Sequence, residues 1–116
     1  MFYSLTGKII HKDEQSVALL VGGVGFKCFV TKNTLYKLPQ INEDVFLNTY
    51  MVVREDAMDL YGFATETELD LFKLLISVSG VGPKAGLAIL SELSPDRLTV
   101  AIAAGDAKAI ARAKGV

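Results

Sequence analysis

After Phe63 the spacing of apolar residues along this chain changes from alternation to a repeat of about 3.6 residues. Before that point, short apolar runs are broken every few residues by Gly, Asn, Asp or Pro, which is how strands and turns read. Beyond it, apolar residues recur at helical spacing. A chain with such a break is α+β by segments, strands first and helices after. With 51% apolar residues it can build a real core and does not read as disordered.

In the first segment, residues 2–13 carry a strand around Gly7, and Gln15 to Val21 a second, rich in Val and Leu. Gly22-Gly-Val-Gly25 reads as a turn, and Phe26 to Val30 alternates as a third strand. Asn33 is placed to cap a short helix over Thr34 to Leu38, closely followed by Pro39. Val45 to Val53 and Asp59 to Phe63 form the fourth and fifth strands, joined by a hairpin tip at Arg54-Glu-Asp-Ala-Met58. Five short strands with a small helix between the third and fourth predict a five-stranded, partly closed OB-like β-barrel over residues 1–63. Another small barrel or meander fits the same pattern.

In the second segment, residues 64–116, Thr65-Glu-Thr-Glu68 makes a capping box with Thr65 as N-cap and Glu68 at N3. The helix it opens carries Leu69, Phe72, Leu75 and Ile76 on one face; the next carries Leu87, Ile89, Leu90 and Leu93. Ser94-Pro95 starts a third helix, running to about Ala104 with Gly105 as its stop, and Asp106 caps a fourth over Ala107 to Lys114.

Between the first two helices lies Ser79-Gly-Val-Gly-Pro-Lys84. Gly80 and Gly82 lack a Cβ, so an oxygen can approach the backbone N–H groups closely. Pro83 is preset for a first helical position, and the helix N-terminus directs donors and partial positive charge at an anion. Lys84 adds a full charge. An apolar helix, GVGPK and a second apolar helix together read as a helix-hairpin-helix, which holds a nucleic-acid backbone without reading bases. An ordinary αα-hairpin with a glycine-rich turn is the alternative.

Charge is consistent with that mode of binding. The formal net charge is −1, with six Lys/Arg and seven Asp/Glu in residues 1–63 and six of each in residues 64–116. A polycation that coats DNA is excluded, so any nucleic-acid binding must rest on how charge is arranged. No apolar run reaches the ~18 residues a membrane span needs, and the first residues lack a charged stretch followed by an apolar one, so no signal peptide is expected. The single cysteine, Cys28, has no internal disulfide partner, which suits a cytoplasmic protein. Ile110-Ala-Arg-Ala-Lys-Gly-Val116 parallels the lead into the first hairpin turn but lacks the second glycine, the cation and the following helix. The expectation is a truncated form of a longer protein.

Taken together, Val21-Gly-Gly-Val-Gly25, Leu35-Tyr-Lys-Leu-Pro39, Val52-Val-Arg-Glu-Asp-Ala57, Leu60-Tyr-Gly-Phe63, Leu71-Phe-Lys73 and Gly80-Val-Gly-Pro-Lys84 resemble the RuvA family of Holliday-junction-binding proteins, over essentially the whole chain. The resemblance implies an OB-like domain, then a domain with two helix-hairpin-helix motifs. It implies a homotetramer (or an octamer) holding four-way junction DNA open and planar for branch migration in recombination, DNA repair and the SOS response. The motor RuvB, which hydrolyses ATP, and the resolvase RuvC are the implied partners of the full-length protein. The implied role is non-catalytic, without cofactor, metal or membrane. The phosphate-binding set is then Ser79, Gly80, Val81, Gly82 and Lys84, joined by Lys114 and Gly115 of the incomplete second turn, with Val81 packing beneath. Glu55 and Asp56 would form an acidic pin at the centre of the tetramer.

On residues alone, Glu55 and Asp56 read first as a solvated polar turn; a metal or nuclease acid pair is the sharper alternative, but no third carboxylate stands at metal-ligand spacing to support it, Asp59 being the nearest. A helix-hairpin-helix nuclease or glycosylase is the alternative function; Asp96 is its candidate acid, although the helix start explains that residue better. A third reading, an interaction module whose barrel face binds peptide or single strands, lacks a run of exposed aromatics. His11 has no catalytic partner and reads as a surface strand residue. Cys28, between Phe26 and Phe29, reads as a small buried hydrophobe. Gly22 to Gly25 lacks the Lys-Ser/Thr of a phosphate loop. Lys8, Lys12, Lys27 and Lys32 are candidates for one DNA-facing side of the barrel.

Overall fold

The computed structural model describes residues 2–92, in two compact units that divide between Leu69 and Asp70. The first unit holds β1 (Ser4–Lys12), β2 (Ser16–Val21), β3 (Val24–Phe29), α1 (Lys32–Lys37), β4 (Asp44–Val53) and β5 (Met58–Phe63). The division falls inside α2 (Glu66–Ile76), and α3 (Pro83–Glu92) belongs to the second unit.

The five strands close into a barrel in the order β1-β2-β3-β5-β4. β1 pairs with both β2 and β4 antiparallel, so one long strand seals the cylinder. The β3–β5 seam is parallel and held by one pair, Phe29 with Tyr61. Leu5, Ile9, Val17, Leu19, Cys28, Val30, Leu47 and Leu60 fill the interior. The expected five-stranded, OB-like barrel is therefore present, and it is closed rather than partly closed.

Two local expectations are corrected. The Gly22–Gly25 turn is shorter: Gly22 (φ 57°) and Gly23 (φ 84°) alone make it, and Val24 and Gly25 already pair with Val21 and Leu20. Two positive φ angles are what a two-residue hairpin turn demands, and only glycine takes them without strain. The cap of α1 is Thr31, not Asn33; its Oγ1 accepts from the Thr34 N–H at 3.0 Å. A helix beginning at Lys32 leaves Asn33 inside its first turn.

The expected capping box is only half formed. Thr65 Oγ1 accepts from the Glu68 N–H at 3.2 Å, as an N-cap should. The Glu68 carboxylate, however, is buried at 3% exposure and turns to α1. It accepts from Thr31 Oγ1 at 2.9 Å and from Thr34 Oγ1 at 2.5 Å. Thr34 Oγ1 in turn accepts from the Ala64 N–H at 3.0 Å. Both carboxylate oxygens are satisfied, which is what makes a buried acid tolerable.

In the second unit Leu71, Phe72, Leu75, Val81, Ile89 and Leu90 are buried. A Cβ on Gly86 would sit 3.2 Å from Ile76 Cγ2 and 3.5 Å from the Phe72 ring, so the missing side chain lets α3 approach α2. The expected third and fourth helices lie outside the described residues.

Candidate nucleic-acid interface

The turn between α2 and α3 is built by short-range backbone bonds. At the end of α2, the Ser77 N–H is shared between the Lys73 and Leu74 carbonyls, both at 3.2 Å, and the Val78 N–H donates to Leu75 O at 3.0 Å. Ser77 Oγ also donates to Leu74 O at 2.5 Å, so the final turn of α2 is tightened. Gly80 then reverses the chain with φ 86°. The Val81 N–H reaches back to Val78 O at 3.1 Å, and Gly82 O accepts the first bond of α3, from the Gly86 N–H at 2.8 Å.

This geometry sorts the expected phosphate-binding residues. Ser79, Gly80, Gly82 and Lys84 are exposed, and Val81 is buried at 8% as the plug beneath them. A Cβ built on Gly82 would meet nothing within 4 Å, so the space beside that backbone is open to an incoming group. Pro83 is the first residue of α3, and the positive end of its dipole opens onto the same surface. Lys114 and Gly115 lie outside the described residues, as does Asp96.

At the other candidate site, the Arg54 N–H donates to Ala57 O at 2.7 Å and closes the β4–β5 tip. Glu55 and Asp56 stand exposed on it. No cluster of three acids, His or Cys able to hold a metal occurs among the described residues. Asp59 is half-buried lower on β5; together with burial, its charge pushes the Tyr61 hydroxyl up. Directly below the tip, Val53 and Met58 face each other across the hairpin and are 55% and 69% exposed. Sequence reasoning passed over this pair, because it read Val53 as the end of a strand and Met58 as part of the tip, whereas β5 begins at Met58 and the two residues pair.

The remaining candidates fall in plain structural roles. Cys28 is fully buried, and burial pushes its thiol up to about 12. His11 is exposed, with Nε2 3.8 Å from Asp13 Oδ2. Asp13 accepts from the Gln15 and Ser16 N–H groups at 2.9 and 2.8 Å and from Ser16 Oγ at 2.9 Å, and these bonds hold its carboxyl below the usual range. The four lysines do not share one face of the barrel. Lys8 and Lys27 lie opposite Leu20 and Ala18 on the outer row, whereas a bulge between Ile9 and His11 puts Lys12 opposite the buried Val17. Lys12 Nζ donates to Pro39 O at 3.0 Å.

Residues 1–62 match the model of the RuvA N terminal domain, and residues 72–116 that of a SAM-like helix-hairpin-helix tandem. A Holliday junction branch migration complex subunit RuvA from Syntrophotalea carbinolica is 48% identical over the whole chain, which covers 58% of that relative. Proteins of the same name from Neisseria meningitidis and Acetivibrio thermocellus are 42% and 40% identical, again over the whole chain, with 60% and 57% of each relative covered. The chain thus spans somewhat under two thirds of the length of the curated relatives it matches.

Proposed function

The chain belongs to the RuvA family, and on that footing we propose that it is the junction-holding part of a Holliday-junction branch migration subunit. Residues 1–63 serve as the barrel domain and residues 64–116 as the helix-hairpin-helix domain. The observation that carries this reading is the exposed turn Ser79–Lys84, open beside Gly82 at the start of α3, on a chain with a net charge of −1. Backbone donors at a helix start bind phosphate without needing an excess of cations. Contacts of this kind position DNA and carry no sequence information, so recognition falls on the shape of a four-way junction.

A homotetramer, or an octamer of two, repeats the clamp on each arm and turns weak contacts into avidity. The acidic tip, Glu55 and Asp56, stands where strands separate and repels phosphate from the centre. The subunit performs no bond chemistry, metal chemistry or ATP hydrolysis; the RuvB motor drives migration and RuvC resolves the junction. On sequence alone, Lys114 and Gly115 are added to the phosphate contacts of this reading.

The test is a gel-shift comparison of a four-way junction with a linear duplex across a salt series, with light scattering for mass. Junction preference, a steep salt dependence and a multiple of the monomer mass are expected. Equal affinity for junction and duplex would remove the reading. Magnesium-dependent cleavage of either DNA would replace it with the nuclease alternative.

A further inference from the structure

The β4–β5 hairpin carries its apolar row past the end of the barrel. Along β4 the inward row runs Leu47, Thr49, Met51, Val53, and along β5 it runs Leu60, then Met58, because alternate residues share a face. Leu47 and Leu60 belong to the core, and Met51 packs against it. The next pair along, Val53 and Met58, lies beyond that core with more than half of each side chain in water. The Arg54–Ala57 bond closes the tip immediately above, and Glu55 and Asp56 project from it. The hairpin therefore ends in an apolar collar crowned by carboxylates, with no cation within ion-pairing distance of Glu55 or Asp56 among the described residues.

We propose that Val53 and Met58 form an apolar wedge that contacts the nucleobases at the crossover of the four-way junction; this rests on the junction-binding reading above. The charge pattern selects that occupant. The carboxylates turn phosphates away, so the groove or backbone of a continuous duplex is a poor fit. At an open crossover the terminal base pairs of the arms expose flat apolar faces, and the phosphates run outward into the arms. Base faces suit the Val53–Met58 surface, and exocyclic amino groups on the same bases are donors that Glu55 and Asp56 can accept from. Apolar side chains inserted at a base step lower the cost of unstacking it. The wedge thus gives the tip an attractive role beside its repulsive one: it holds the crossover bases unstacked while strands are exchanged.

The experiment uses a synthetic four-way junction with 2-aminopurine at the crossover and, as a control, in mid-arm. The intact protein should brighten the crossover probe and leave the mid-arm probe unchanged. Val53→Ser with Met58→Ser should still prefer the junction, with affinity lower by no more than about tenfold, and should cut the ratio of brightened to dark bound junction by about tenfold, the worth of burying part of two apolar side chains. Both positions are exposed, so folding should survive; Val53→Thr with Met58→Gln provides a second polar pair should the serine pair fail to fold. A variant that binds and brightens like the parent would overturn the wedge and leave the junction reading standing. Loss of the oligomer in DNA-free light scattering would overturn it too, by making the pair a contact between copies of this chain. Parent protein with no preference for the junction would overturn the junction reading and the wedge with it.

Discussion

Gly80 and Gly82 are two residues apart, but they are glycine for different reasons. Gly80 has φ 86°, where any Cβ strains the backbone, so replacing it disturbs the turn itself. Gly82 has no positive φ and open space where a Cβ would point. Gly82→Ala should therefore leave thermal stability nearly unchanged while placing a methyl group where a phosphate oxygen would approach. Junction affinity should fall by about tenfold, the worth of one charge-assisted hydrogen bond; unchanged affinity in a gel shift would remove Gly82 from the clamp. Lys84→Ala works through charge instead: the slope of log affinity against log salt should drop by about one per site. An unaltered slope would exclude Lys84 as a phosphate contact. Cys28 makes a separate case. Its thiol is fully buried and pushed up to about 12, so almost none of it is thiolate near neutral pH. A thiol reagent at pH 8 should label it only as fast as the barrel opens, and labelling faster than amide exchange of the core strands would contradict that burial.

Among the elements, α1 is short, and its importance lies in what it holds. Its capping threonine and Thr34 both bind the buried carboxylate of Glu68 in the first turn of α2, and Thr34 also accepts from the Ala64 N–H. Thr34→Val leaves the Ala64 N–H and one carboxylate oxygen without their partner, which should cost about 1–3 kcal/mol. Glu68→Gln should cost a similar amount, and the double variant should cost less than the sum, because both break one network. Strict additivity in chemical denaturation would show that the threonine and the acid do not act together. This network marks where sequence reading stopped. Thr65 as a cap was legible, since its partner is three residues away. The destination of the Glu68 side chain was not, because Thr31 and Thr34 lie 37 and 34 residues upstream and no local pattern connects them. The same divide separates the rest. The Gly80–Lys84 turn was readable because its determinants sit within a few residues. Lys12 was misplaced because the bulge that turns it inward depends on pairing with β2. Closure of the barrel likewise depends on a β1–β4 register that begins at Ser4 with Asn48.

For the whole molecule, the proposed discrimination between junction and duplex rests on the placement of charge, because the net charge of −1 attracts no DNA by itself. On the proposed reading the chain carries one feature that draws phosphate in, the Gly80–Lys84 turn, and one that turns it away, the exposed Glu55–Asp56 tip. A four-way junction then suits both features, whereas a straight duplex brought to the tip meets its carboxylates. Glu55→Gln with Asp56→Asn removes the repulsion and leaves the clamps intact. Each lost charge is worth on the order of 1 kcal/mol at about 4 Å in water, and several copies meeting at one centre add together. Duplex affinity should therefore rise by about tenfold or more while junction affinity changes little, so the preference ratio falls mainly through its denominator. The difference should shrink at high salt, because exposed charges are screened beyond roughly 10 Å at 0.1 M. Competition gel shifts with both DNAs in one tube, at low and high salt, read the ratio directly. If it does not move in a protein that keeps its oligomeric mass, the carboxylates take no part in shape selection, and the clamps alone must account for it.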